Sequence, residues 1–445
     1  MGEIPEGPKK YSRRSVMGGI VGLAGLAVVG TGDTHSTSTR GRGTNPAPES
    51  GSNGSDEDKR EVYTSHDIAE IQQRIFSSEG EVLIVVDSDL NIPEGYQGFN
   101  VKPFSAENEV NEGENDLRKA LLYIPEGKKV LIFGGSWNTH GFAYSVYSQR
   151  ADLTMDHANF SKGSASLEQL PREENAYVFA NGGSLNLKNC EIDGSLDEVG
   201  SAPFVIDGET DGYTQKGLCG VYGVNSKMKI SNCVFKNQSW DSITVNGGTL
   251  NLEDSLIEGT NPEIVAGAGL GVINGAKVDV NRCQINGRIK SVLCFGESRI
   301  RMRETNIHAG SELYYNCEGV VGFGVVEMEK CNLYSDSNCV ALYNPESKVS
   351  KCRLFVGMDP DYVTKINNGE LGFEQAFDET AWIGDSSRIN GSCQFTDNKV
   401  HVAEEYKDYL KLACDFYGDE FKRSGNQIFV LSNLQDEYEK AILNG

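Results

Sequence analysis

One short pattern recurs nine times in this chain and limits what it can fold into. An apolar residue is followed by a second two positions on, a small residue at the fifth position and an apolar residue at the seventh. Leu185-Leu187-Cys190-Ile192, Met228-Ile230-Cys233-Phe235, Leu250-Leu252-Ser255-Ile257 and Val278-Val280-Cys283-Ile285 are the clearest copies. Ile300-Met302-Thr305-Ile307, Val326-Met328-Cys331-Leu333, Ser347-Val349-Cys352-Leu354 and the upstream Leu153-Met155-Ala158-Phe160 also fit, and Cys393-Phe395 is a partial copy. From Cys233 to Cys352 the small residue returns after 22, 28, 22, 26 and 21 residues. A period of that length is the mark of a solenoid.

Alternation at positions zero and two is the period of a strand. The two intervening residues break it, and a second short strand carries positions five and seven. A further strand precedes each copy, at residues 176–180, 242–245, 293–295 and 340–342. No helix-length segment separates these coils, which excludes a βαβ sheet. Such coils bury their apolar faces only by stacking, each strand pairing in parallel with its equivalent about 4.8 Å away. The predicted fold is therefore all-β, a parallel β-helix.

The fifth slot reads Ala158, Cys190, Cys233, Ser255, Cys283, Thr305, Cys331, Cys352 and Cys393, which places six of the 11 cysteines in one interior column. A stacked column at a bend needs small side chains, and cysteine serves there as a small hydrophobe. Rung spacing also falls within the Cα range of a disulfide. The odd cysteine total and the Ser, Thr and Ala occupants favour packing over bridges. Slots one and three carry Asn, Lys, Asp, Arg and Glu, an ordinary solvated face. The strand before each copy differs. Its outward positions, among them Tyr177, Phe179, Tyr222, Glu318, Val320 and Tyr343, form a stripe too apolar for plain surface. Either another segment covers it, or Tyr177, Phe179, Tyr222 and Tyr343 line a substrate-binding face.

Four segments are expected. Residues 1–30 contain Lys9-Lys10-Tyr11-Ser12-Arg13-Arg14 before a Gly-rich apolar stretch. They read as a twin-arginine export signal or anchor. Residues 31–60, rich in Ser, Thr, Gly and Pro, read as a disordered linker. The solenoid is expected over 61–400 and a helical cap or tail over 401–445. At its start, Ser65 can cap a helix over 66–76 that closes the first coil. Export implies an extracellular or cell-surface location. The formal net charge of −23 argues against nucleic acid as a partner. With no P-loop present, a nucleotide has no support either.

This architecture resembles the right-handed parallel β-helix superfamily of pectate lyases and polygalacturonases. Lys236-Asn237-Gln238-Ser239-Trp240-Asp241-Ser242-Ile243-Thr244-Val245 is similar to the polygalacturonase strand that carries paired aspartates. Gly267-Ala268-Gly269-Leu270 stands where that family has Gly-His-Gly-Leu, and Arg288-Ile289-Lys290 matches its Arg-Ile-Lys triplet. The resemblance implies catalytic roles for Asp241, Arg288 and Lys290 on acidic sugars. The departures oppose this: Trp240 replaces one aspartate and Ala268 the histidine, whereas an inverting glycosidase needs two carboxyl groups. Two readings follow, an exported protein that binds polysaccharide or glycan, and a divergent polysaccharide lyase or glycoside hydrolase. Asp207-Gly208-Glu209-Thr210-Asp211-Gly212 places oxygens at alternate positions like the start of a calcium loop, making Asp207, Glu209 and Asp211 the candidate Ca2+ ligands. Leu218 stands where the closing glutamate would be. The six histidines show no ligand spacing.

Overall fold

The structure is a computed structural model. It describes residues 61–101, 118–138, 142–161, 175–194, 219–238, 241–260, 268–287, 290–310, 318–335, 338–357, 383–385, 393–403 and 425–443. Residues 1–60, read above as a signal and a linker, Arg288 and residues 207–211 lie outside these residues.

Thirty-one strands are described, and every pairing is parallel except that of Phe99–Val101 with Arg118–Ile124. They stack as a β-solenoid with a helix at each end. Equivalent slots lie in register: Leu185, Met228, Leu250, Val278, Ile300 and Val326 follow one another strand to strand. The apolar residues at slots two and seven are buried throughout. Between them the backbone turns at slot four, where a non-glycine residue takes a left-handed conformation in every copy. From His157 and Asn189 through to Lys351 and Asp397, φ there lies between 48° and 57°. One left-handed residue bends the chain into the next strand, so the repeat has two intervening positions rather than one. Slot five then enters the core beside its equivalents.

Cys190, Cys233, Cys283, Cys331 and Cys352 are buried in that column, and all nine described cysteines are free. Hydroxyl and thiol acceptors bind the backbone of the preceding rung: Ser255 Oγ accepts from Cys233 N at 3.1 Å, and Cys352 Sγ from Cys331 N at 3.4 Å. Cys393 does not belong here. Lys348 pairs with Gln394, so Cys393 lies over Ser347 at slot zero. The fifth slot of that copy is Asn398, whose Oδ1 accepts from Cys352 N at 2.9 Å.

The first helix, α1, runs over Ile68–Ser77 and buries Ile68, Ile71 and Ile75 against the core. Its cap is Asp67 rather than Ser65, because Asp67 accepts from the amides of Ala69 and Glu70. The solenoid also extends beyond residue 400: Lys399–Ala403 pairs with Arg353–Val356, and Gln427–Leu431 pairs with Lys399–Ala403. The second helix, α2, covers Leu434–Leu443. It packs beside the strands that carry slot seven, where Tyr438 donates to Ile307 O at 3.0 Å and stacks near His308. Of the helical segment expected over 401–445, residues 404–424 and 444–445 lie outside the described residues.

Candidate functional site

The first strand of each coil enters through a corner that inverts part of the expected stripe. Ser242 Oγ donates inward to Gln238 Oε1, and the next residue, Ile243, is also core. Two consecutive inward residues shift the period-two count by one. Leu270, Val272, Val292 and Val320 therefore lie inside rather than on the stripe. Tyr177 turns inward too, donating to Asp193 O at 3.0 Å and meeting Phe160 edge-on. Phe179 and Tyr222 do face outward but are buried. Tyr147, Phe179 and Tyr222 stack face to face along the axis at 4.9 and 4.8 Å. Tyr177, Phe179 and Tyr222 are buried, so none of them offers a ring to a sugar in this structure.

That aromatic column ends at Thr244 and Gly271, and the gap holds the carboxylate of Asp241. Asp241 Oδ2 accepts from Thr244 Oγ1 and Oδ1 from Ala268 N, each at 2.6 Å. A Cβ on Gly271 would sit 2.9 Å from Oδ2, so glycine makes the room. Asp241 stands opposite Ala268, since Ser242 N donates to Ala268 O. The same column continues to Lys290, Glu318 and Asn338. Lys290 Nζ lies 3.6 Å from Glu318 Oε2.

All three charges are shut from water: Asp241 is 8% exposed, Lys290 6% and Glu318 4%. Burial pushes the Asp241 carboxyl up to about 6, opposed by Thr244, the Ala268 amide and the Lys290 charge. Burial lowers the Lys290 pKa, opposed by Glu318 and then Asp241. Glu318 is a second carboxylate in the same column. It stands three rungs from Asp241, on the order of 14 Å along the axis at about 4.8 Å a rung. An inverting pair needs about 6.5–9.5 Å with room for water. A lysine with lowered pKa is also the base a lyase would use, but Lys290 is held by Glu318 in a closed site.

The shifted aspartate fixes a pH dependence. Its free pKa is near 3.9, so the cost of burying it charged is absent below about pH 4 and complete above about pH 6. That cost is roughly 3 kcal/mol. Chemical denaturation of the parent and of Asp241→Asn is expected to show the gap moving in the variant's favour by that order between pH 4 and 6.5. A gap that does not change with pH would contradict the burial argument.

A column of aromatics immediately follows the strands Lys290–Cys294, Glu318–Gly322 and Asn338–Leu342. Phe295, Phe323 and Tyr343 stack with centroids 5.0 and 4.3 Å apart and planes within 7°. All three are half-buried, so their edges reach solvent. Of the four expected binding aromatics only Tyr343 stands on this partly open ladder. Phe295 and Phe323 join it by occupying the same position two rungs and one rung earlier. Among the described residues no group of three or more His, Cys, Asp or Glu side chains could hold a metal ion. No helix among them is long and apolar enough to cross a membrane. The chain matches no protein-family model, no curated protein and no solved structure.

Proposed function

We propose that this protein is an exported β-solenoid that binds polysaccharide or another glycan at or outside the cell surface, without strong catalysis. The observation that carries this reading is the burial of Asp241, Lys290 and Glu318 in one closed column. The groups with the chemistry to catalyse lie where a dissolved substrate does not reach them. The Phe295–Phe323–Tyr343 ladder supports the binding half, because aromatic edges and rims in a column parallel to the axis suit an elongated chain. The Arg13-Arg14 leader supports export. A second reading, a divergent lyase or hydrolase acting on acidic sugars, draws on the raised Asp241 and lowered Lys290 pKa values.

The test is a panel of uronate-rich and neutral polysaccharides, with and without calcium. New reducing ends and the ultraviolet absorbance of unsaturated product are followed alongside binding. Retention without turnover, weakened by Phe323→Ala, is the expected result. Turnover abolished by Asp241→Ala would establish the second reading instead.

A further inference from the structure

Helix α2 docks over an outward aromatic column that includes His401. Tyr334, Phe355, His401 and Phe429 are register partners on successive rungs. Phe355 joins Leu434, Tyr438 and Ala441 of the helix in a small cluster apart from the main core. A ten-residue helix is marginal by itself, so its docking rests on that cluster and opens at low cost. The His401 ring is stacked between Phe355, at 4.5 Å and 10°, and Phe429, at 5.1 Å and 18°. Both of its nitrogens are buried, and neither has a hydrogen-bond partner among the described residues.

A ring so placed fits its site while it is neutral. A charge on it needs water or an acceptor, and both become available when α2 leaves. Burial lowers the His401 pKa to about 4; Arg353 and Lys399 add to this and Glu437 opposes them. Those three are the charged groups that face it: Arg353 on the preceding rung, Lys399 on its own strand and Glu437 on α2. The strand Gln427–Leu431 carries none, and the Tyr438 phenol stays neutral because burial raises its pKa. A free histidine titrates near 6.5. Docking is therefore favoured in full above that pH, where the ring is neutral docked or released, and weakens as pH falls towards 4. We propose that protonation of His401 releases α2 from the side of the solenoid, an acid-operated latch that uncovers Tyr334 and Phe355 beneath Tyr438. The latch does not depend on the glycan-binding reading.

Hydrogen exchange of the full chain, followed by mass spectrometry and corrected for the intrinsic rate at each pH, tests this. Between about pH 7 and 5 the protection of residues 434–443 is expected to fall about tenfold, less than the full shift would give because the ring is partly exposed. The core strand Thr249–Glu253 should keep its protection. His401→Phe fills the same place with a ring that takes no proton, and should hold α2 docked at both pH values. Arg353→Gln, at an exposed position, should blunt the acid effect without removing the ring. A loss that persists undiminished in His401→Phe would belong to another group, such as His308 beside Tyr438, and would overturn the latch. Unchanged protection of the parent helix at the lower pH would overturn it too. An equal loss in Thr249–Glu253 would mean general unfolding, with the same consequence.

Discussion

Replacing Lys290 by methionine is expected to cost about 3–5 kcal/mol of unfolding free energy. The side chain is not a surface lysine whose loss goes unnoticed: its ammonium lies 3.6 Å from Glu318 Oε2 in a site only a few per cent exposed. Removing it leaves Glu318 charged and buried, and also takes from Asp241 the positive charge that opposes its raised pKa. The double substitution Lys290→Met with Glu318→Leu removes the pair together and is expected to recover at least half of the loss, because a buried ion pair replaced by apolar groups is often neutral. Denaturant titration of parent, single and double variants checks this. A single variant as stable as the parent would mean that the site is open to water, and the catalytic reading would then regain its footing.

The second large effect belongs to slot seven. Phe235 is fully buried in the slot-seven column between Ile192 and Ile257. A Cβ on Gly220 would come within 2.9 Å of its ring, so packing across the coil is already tight there. Phe235→Ala is expected to cost about 3–5 kcal/mol through lost burial and the cavity left behind. Lys277→Ala, at an exposed position beside slot zero, should change stability by no more than about 0.5 kcal/mol. Comparable losses at the two positions would show that inside and outside have been assigned wrongly.

The pattern at slots zero, two, five and seven was legible because each slot repeats a physical demand: two inward side chains, a bend and a crowded column. Cysteine at slot five carried that signal down to Cys352 and then misled, because Asn398 fills the slot with an amide that binds the backbone. Nothing in the composition of slot four announces its left-handed turn, since His, Asn, Asp, Arg, Glu and Lys all occupy it. The first strand was harder for a related reason. Its corner places Ser242 and Ile243 both inward, so alternation counted from the sequence assigns Leu270 and Val292 to the wrong side. Glu318 could not be singled out, because its importance comes from Lys290 one rung away and not from its neighbours in sequence. The last strand, Gln427–Leu431, was hidden behind an interrupted period.

Successive coils lying directly over one another is the claim on which the site, the ladder and the closed charges all depend. It is tested most directly by cross-linking the wet face. Asn251 and Asp279 are register partners on adjacent rungs, at a spacing of about 4.8 Å that a disulfide can bridge. In the double variant Asn251→Cys, Asp279→Cys, mild oxidation should form an intramolecular bridge quickly while the buried native thiols stay reduced. The control Asn251→Cys, Asn281→Cys, displaced two residues along the strand, should bridge poorly. Failure of the first pair, or faster bridging by the second, would contradict the stacked register.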